Sequence, residues 1–232
     1  MKLLALSIAP GIAICLFVYL KDKQEKEPIW LLLISFLLGM LSTIPAVIIQ
    51  MLSGISLESL AGKSYQQIAF FAFAVVALSE ELSKFVMIRF YAYRKKAFND
   101  PFDGIVYAVM AGMGFATLEN IGYVYQHGFA TGIMRMFLSV PAHATFAVLM
   151  GYFLGLAKFN SGNRGWYMLL AIFWPVLFHG AFDYFLFVGN SWVHVCGALA
   201  SFFVAIQLSK RAMRKHAALS SAKFNQFDEN TD

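Results

Sequence analysis

Charge is what this chain has least of. Only 13% of its 232 residues are Asp, Glu, Lys or Arg, against close to one quarter in a water-soluble domain. Cysteine is scarce too. Cys15 and Cys196 both fall in apolar stretches, which excludes a disulfide framework or a zinc knot. No internal repeat is visible. The N-terminal segment has Lys2 before an apolar run, as a signal peptide does, but it lacks a small-residue cleavage site: Leu16-Phe17-Val18-Tyr19-Leu20 is too bulky. An uncleaved span is expected there.

What is present is apolar. Hydrophobic residues make up 59% of the chain and the mean hydropathy is +0.65. About seven apolar segments of about 20 residues, each long enough to cross a hydrocarbon core, account for nearly the whole length. The fold class expected is all-α, a polytopic transmembrane helical bundle forming a single domain over residues 1–209, with the polar core at about 67–188. The formal charge of +5 does not signal a nucleic-acid binder. The basic residues cluster at span ends, as anchors and orientation signals do.

In chain order the spans expected are 3–20, 28–52, 67–93, 104–126, 137–157, 166–188 and 192–208. Pro28 suits a first helical turn, Pro45 is expected to kink the second span, and Asp103 is placed to cap the fourth. Residues 127–136 read as an interfacial connection, and 210–232 as a basic, then acidic, disordered tail. The loop from Lys21 to Lys26, the loop at Arg94-Lys95-Lys96, the fifth loop and the tail hold 13 Lys and Arg, and the opposite side holds 3. This bias predicts an N-terminus outside and a C-terminus in the cytoplasm.

Against that apolar background the stretch Ser79-Glu80-Glu81-Leu82-Ser83-Lys84 is costly, at roughly 2.5–3.5 kcal/mol for each central charge. The first, second and last spans have no ionisable residue at their centres. The other four each carry at least one: Glu80, Glu81 and Lys84; Glu119 beside Asn120; His143; His179 and Asp183. At 1.5 Å per residue these lie roughly 9–20 Å below the outer surface, between it and the midplane. Glu80 and Lys84 share a helix face, as do His179 and Asp183. Ala108, Gly112, Ala116 and Asn120 form one small-residue stripe, and His143, Ala147, Gly151 and Gly155 another. Such stripes let membrane helices approach closely.

This set suits acid/base chemistry on a water. Two neighbouring carboxylates away from solvent would hold fewer than two negative charges, with Lys84 helping to retain one, and a carboxylate there is the better general base. His143, His179 and Asn120 offer hydrogen-bond donors to an oxyanion, and Asp183 can orient His179. Each group also has a purely structural reading: Glu80–Lys84 and His179–Asp183 as ion pairs, Glu119-Asn120 as helix glue, His143 as an interfacial residue.

At these residues the chain resembles the PrsW family of intramembrane proteases, in the wider superfamily of CAAX prenyl endopeptidases and bacteriocin-processing proteins. The matching boxes are Glu80-Glu81-Leu82-Ser83-Lys84, Phe115 to Asn120, His143 followed eight residues later by Gly151, and His179-Gly180-Ala181-Phe182-Asp183. The resemblance implies a glutamate-dependent endopeptidase with no cofactor and no catalytic metal. Glu80 would be the general base, Glu81 its partner, and His143 and His179 would polarise the water or stabilise the oxyanion. Glu119 stands where prenyl endopeptidases typically have His, and Asp183 where they often have Asn. The family's best-known activity is first-site cleavage of a membrane-anchored anti-sigma factor, which implies a membrane-anchored protein substrate.

Other classes stay open at this level. Glu80, Glu81, Glu119, His143, His179 and Asp183 could supply a His₂-carboxylate zinc site. Against that, the sequence has no HExxH pair and Lys84 would repel a cation. A small proton-coupled transporter would also carry intramembrane acids and histidines, but it usually shows repeat symmetry. A catalytically silent assembly protein is a fourth possibility.

Overall fold

The computed structural model describes residues 2–22, 25–189 and 191–229, and among these every regular element is a helix. Among the described residues, five helical stretches are long and apolar enough to cross a membrane: Lys2–Lys21, Ile29–Leu52, Pro101–Phe159, Arg164–Val188 and Trp192–Ala222. Seven apolar segments become five stretches for two physical reasons. Residues 65–90 are helical, but a π-helical turn (Phe71–Ala77) separates α4 (Tyr65–Phe70) from α5 (Leu78–Phe90), and Glu80, Glu81, Lys84 and Arg89 charge the segment. Residues 101–159 hold two helices, α6 (Pro101–Phe137) and α7 (Ser139–Phe159), which meet at Leu138.

The first helix, α1, is Lys2–Lys21. The segment after it bends as proline demands. α2 (Ile29–Leu41) ends at Ser42, and α3 (Thr43–Leu52) restarts with Pro45 in its first turn, where the missing N–H costs no helical bond. The remaining helices are α8 (Arg164–Val188) and α9 (Trp192–Glu229).

Helix α6 is the axis of the molecule, packed by α1, α2 and α7. Its first four turns are buried without a break from Phe102 to Thr117. Small residues make that crowding feasible. A Cβ on Gly104 would run into the backbone of Gly151, and one on Gly151 into that of Gly104; one on Gly112 would lie 2.7 Å from the Ala147 Cβ. The two stripes read from the sequence therefore meet each other. On the other flank, a Cβ on Gly39 would strike the Ala111 carbonyl and one on Gly114 the Phe36 carbonyl, which seats α2 against α6.

The ends of α6 differ from expectation. Asp100, not Asp103, is the N-cap, accepting from the Phe102 N–H at 2.7 Å. Asp103 completes the capping box from the third helical position, accepting from the Asp100 N–H at 2.6 Å, the reciprocal arrangement that satisfies two helix-end donors. The connection expected over 127–136 is helical, apart from Gly128 at φ 82°, ψ −166°, a backbone conformation suited to glycine.

The tail expected to be disordered is instead helical through Glu229; Asn230 to Asp232, and Lys23 and Gln24 of the first loop, lie outside the described residues. Ser209, Ala212, His216 and Ser220 recur every three or four positions and are all buried. His216 packs on the Tyr152 ring at 4.4 Å, and the Ser220 hydroxyl donates to Asp100. A basic composition hid a one-sided docking stripe.

Candidate active site

Helices α5, α6, α7 and α8 each bring an ionisable group to one buried cluster. Glu80, Glu81 and Lys84 of α5, His143 of α7 and His179 of α8 are all at most 5% exposed. The π turn ends at Ala77, three residues before Glu80. One extra residue per turn changes the face on which everything C-terminal to it emerges, and such turns gather at functional sites. Gly180 lets this segment close on α8, because a Cβ there would overlap the Phe73 ring of the π turn.

Lys84 is the hub. Its Nζ lies 2.7 Å from Glu81 Oε1, 3.6 Å from Glu80 Oε2 and 3.3 Å from His143 Nδ1, and 3.9 Å above the Phe115 ring centre. An ammonium only donates, so His143 Nδ1 accepts and the ring proton sits on Nε2. That N–H donates to Glu119 Oε2 at 2.9 Å. His143 therefore has its single proton committed to Glu119.

His179 is held differently. Its Nδ1 is 2.9 Å from Glu81 Oε1, and its Nε2 is 3.2 Å from Asp183 Oδ2 and 3.8 Å from Glu80 Oε2. Both ring nitrogens face carboxylates, an arrangement that the doubly protonated ring satisfies fully. Phe146 stacks on this ring at 5.0 Å, and His143 meets it edge-on at 5.1 Å.

The two glutamates are not equivalent. Glu81 Oε1 receives two charge-assisted hydrogen bonds, from Lys84 and His179. Glu80 has looser partners, with Oε1 accepting from Gln50 Nε2 at 3.2 Å and Oε2 buried with no hydrogen-bond partner among the described residues. The second oxygen of Glu81 is likewise unpartnered. Glu119 and Asp183, with side chains 20% and 14% exposed, are where the cluster reaches the surface.

Asn120 does not join this set. One residue past Glu119 on α6, it is fully buried with its amide donating to the Ser7 carbonyl at 3.1 Å and its Oδ1 accepting from Arg135 Nε at 3.0 Å. Neighbours on a helix diverge by about 100°, so Asn120 ties α6 to α1 while Glu119 faces the cluster. An oxyanion donor at this position is not what its geometry offers.

Two participants were missed from sequence. Gln50 of α3 reaches both Glu80 and Ser79. Arg135, assigned to an interfacial connection, pairs with Glu119 at 2.8 Å and lies 4.1 Å over the Tyr123 ring. A glutamine in an apolar helix was a usable signal; for Arg135 only the fold-back beyond Gly128 reveals its partner.

The donor set bears on metals. Ligand atoms of Glu80, Glu81, His143 and His179 lie within 4.8 Å of one another, and each imidazole rests its other nitrogen on a carboxylate, as metal-bound histidines do. The two unpartnered glutamate oxygens add capacity. These residues fit a divalent cation by type and spacing. Lys84 opposes it, since its ammonium already occupies bonding distance from Glu81 and His143.

The fold and this cluster define the class: a helical membrane protein with acids and imidazoles gathered inside its bundle. Residues 27–209 match the family described as PrsW family intramembrane metalloprotease. The chain is 36% identical to Protease PrsW of Geobacillus kaustophilus over 91% of this chain and 92% of that one. It is 35% identical to Protease PrsW of Bacillus subtilis over 83% and 86%, and 32% identical to that of Clostridioides difficile over 83% and 82%. No solved structure matches. The chain belongs to the PrsW family of bacterial intramembrane proteases.

Proposed function

We propose that this protein hydrolyses a peptide bond of a membrane-anchored protein substrate, with Glu80 as the general base on a water. One observation carries the reading: Glu80 Oε2 is buried, without a hydrogen-bond partner among the described residues, and flanked by the cations of Lys84 at 3.6 Å and His179 at 3.8 Å. A water accepted there loses its proton to Glu80 and attacks the scissile carbonyl. The oxyanion that forms lies beside the His179 ring and the Lys84 ammonium, fixed positive groups in a site that excludes bulk water. Glu81 holds both cations in place, Asp183 orients His179, and Glu119 with Arg135 fixes His143, which in turn backs Lys84. The proton held by Glu80 then goes to the leaving amine.

The proposal includes a seven-span topology with the N-terminus outside. α1, α2–α3, α4–α5, the first part of α6, α7, α8 and the first part of α9 supply the seven helical units, and the Lys/Arg bias of the loops supports the orientation. An anti-sigma factor, the family's best-known substrate, is the proposed target class. Comparing the membrane proteomes of cells carrying wild type or Glu80→Gln tests the activity, the role of Glu80 and the target class together. A membrane-anchored protein that accumulates uncut only with the variant supports the reading, and identical proteomes refute it.

A metal-assisted mechanism is the second reading, favoured by the four clustered donors. Glu80, Glu81, His143 and His179 would hold the ion, which would supply Lewis-acid polarisation of water and carbonyl. Stoichiometric zinc in purified protein with loss of cleavage on chelation establishes this reading over the first; full activity in metal-free protein excludes it.

A further inference from the structure

At the N-terminal end of α6, away from the candidate active site near its middle, lies a cavity of about 580 Å³ between α1, α6 and α9. Phe102 at its wall is 17 residues from Glu119, about 26 Å along the helix, so the cavity is separate from the cluster described above. Its lining divides by chemistry. Lys21, Lys210 and Arg214 supply three cations against the carboxylate of Asp22, while Phe17, Phe102 and Met213 make an apolar floor.

We infer that this cavity is a binding site for an anionic phospholipid, with the phosphate at Lys21, Lys210 and Arg214 and the first part of an acyl chain on Phe17, Phe102 and Met213. Three observations converge. The cavity sits where apolar helix gives way to basic helix: α1 ends at Lys21, and α9 changes from the apolar run before Leu208 to Lys210-Arg211. The surface of α1 continuing from it, Leu16, Phe17 and Leu20, is at least 50% exposed, which gives an acyl chain an unbroken apolar track. The walls are fixed, because Ser220, itself part of the lining, is bonded to Asp100, and His216 is locked onto Tyr152 one turn earlier.

A free soluble anion would use the three cations and leave the apolar floor empty. A neutral lipid would use the floor and leave the cations unpaired. Basic recesses between membrane helices at their positively charged end take lipid headgroups for this combined reason. The site also explains why a basic tail segment packs back on the bundle: its cations would share one phosphodiester.

The test uses the full chain in a mild detergent. Wild type is compared with the triple variant Lys21→Gln/Lys210→Gln/Arg214→Gln and with Ala218→Trp, which fills the cavity without altering charge. Dioleoyl phosphatidylglycerol should raise the unfolding midpoint of wild type by several degrees, and native mass spectrometry should find one copy retained. Dioleoyl phosphatidylcholine and inorganic phosphate should do neither. The triple variant should lose retention at least about tenfold, given how much each near-surface cation contributes, and Ala218→Trp should lose it because the indole occupies the space of the lipid. Undiminished retention by either variant, an equal response to phosphatidylcholine, or a shift reproduced by inorganic phosphate overturns the proposal. Should the triple variant fail to fold, Ala218→Trp decides alone.

Discussion

Replacing Glu80 and Glu81 by glutamine, one at a time, tests the proposed division between a catalytic carboxylate and a structural one. Glu80→Gln removes the proposed base but few bonds. The glutamine oxygen still accepts from Gln50, and Lys84 keeps its 2.7 Å bond to Glu81. What is lost is a 3.6 Å ion pair and a 3.8 Å approach to His179. The expected stability cost is about 1 kcal/mol or less, since neither contact is a short hydrogen bond. Catalysis should fall by about 10²–10⁴-fold, the usual worth of a positioned general base.

Glu81→Gln removes the anion that receives both Lys84 and His179, at 2.7 and 2.9 Å. Breaking one side of a buried charge network costs about 3–5 kcal/mol, so this variant should unfold many degrees earlier. The measurements are the unfolding midpoint in detergent and single-turnover cleavage of a substrate found by the proteomic comparison. If Glu80→Gln cleaves within about twofold of wild type, Glu80 is not the base. If Glu81→Gln is as stable as Glu80→Gln, the assignment of their roles fails.

Three further outcomes are expected. Arg135→Gln leaves Glu119 with only His143 and removes a bond to Asn120; stability should drop about 1–3 kcal/mol and cleavage with it, whereas a silent variant would place Arg135 outside the network. Gly151→Ala forces a Cβ into the Gly104 backbone and should cost about 1–3 kcal/mol, the scale of overpacking; an unchanged midpoint would mean that α6 and α7 can separate freely. Glu27, in the loop before α2, is buried and bonded to the Tyr107 hydroxyl, and burial pushes its carboxyl up from 4.5 to about 7. The folded protein therefore binds more protons than the unfolded chain between those values, so stability declines as pH rises from 4.5 through 7, by about 1–3 kcal/mol. Glu27→Gln should flatten that slope and match or exceed wild type at pH 8, as read from midpoints at pH 5 and 8; an unaltered slope would show that Glu27 does not titrate there.

Much of the site was legible because its information is local. Glu80 and Lys84, or His179 and Asp183, share a face by helical period alone, and each pair is in contact. The small-residue stripes of α6 and α7 were readable for the same reason, and so was the membrane setting, which depends only on composition and run length.

Rotation and fold-back were not local. Asn120 looked like Glu119's partner because the two are adjacent, yet adjacency on a helix means divergence, and only the packing of α1 decided which of them faced the cluster. Gln50 and Arg135 became part of the network because α3 and the segment beyond Gly128 bring them to it from elsewhere in the chain. The tail read as disordered because charge outweighs its three buried positions, Ala212, His216 and Ser220, in any composition count.

The amino-acid sequence by itself determined an apolar helical chain with acids and imidazoles spaced to share faces, since those follow from the 3.6-residue period and from the cost of charge in hydrocarbon. The tertiary structure alone decided which glutamate is saturated and which is open, because that depends on the π turn before Ser79 and on where Lys84, His179 and Gln50 end in space.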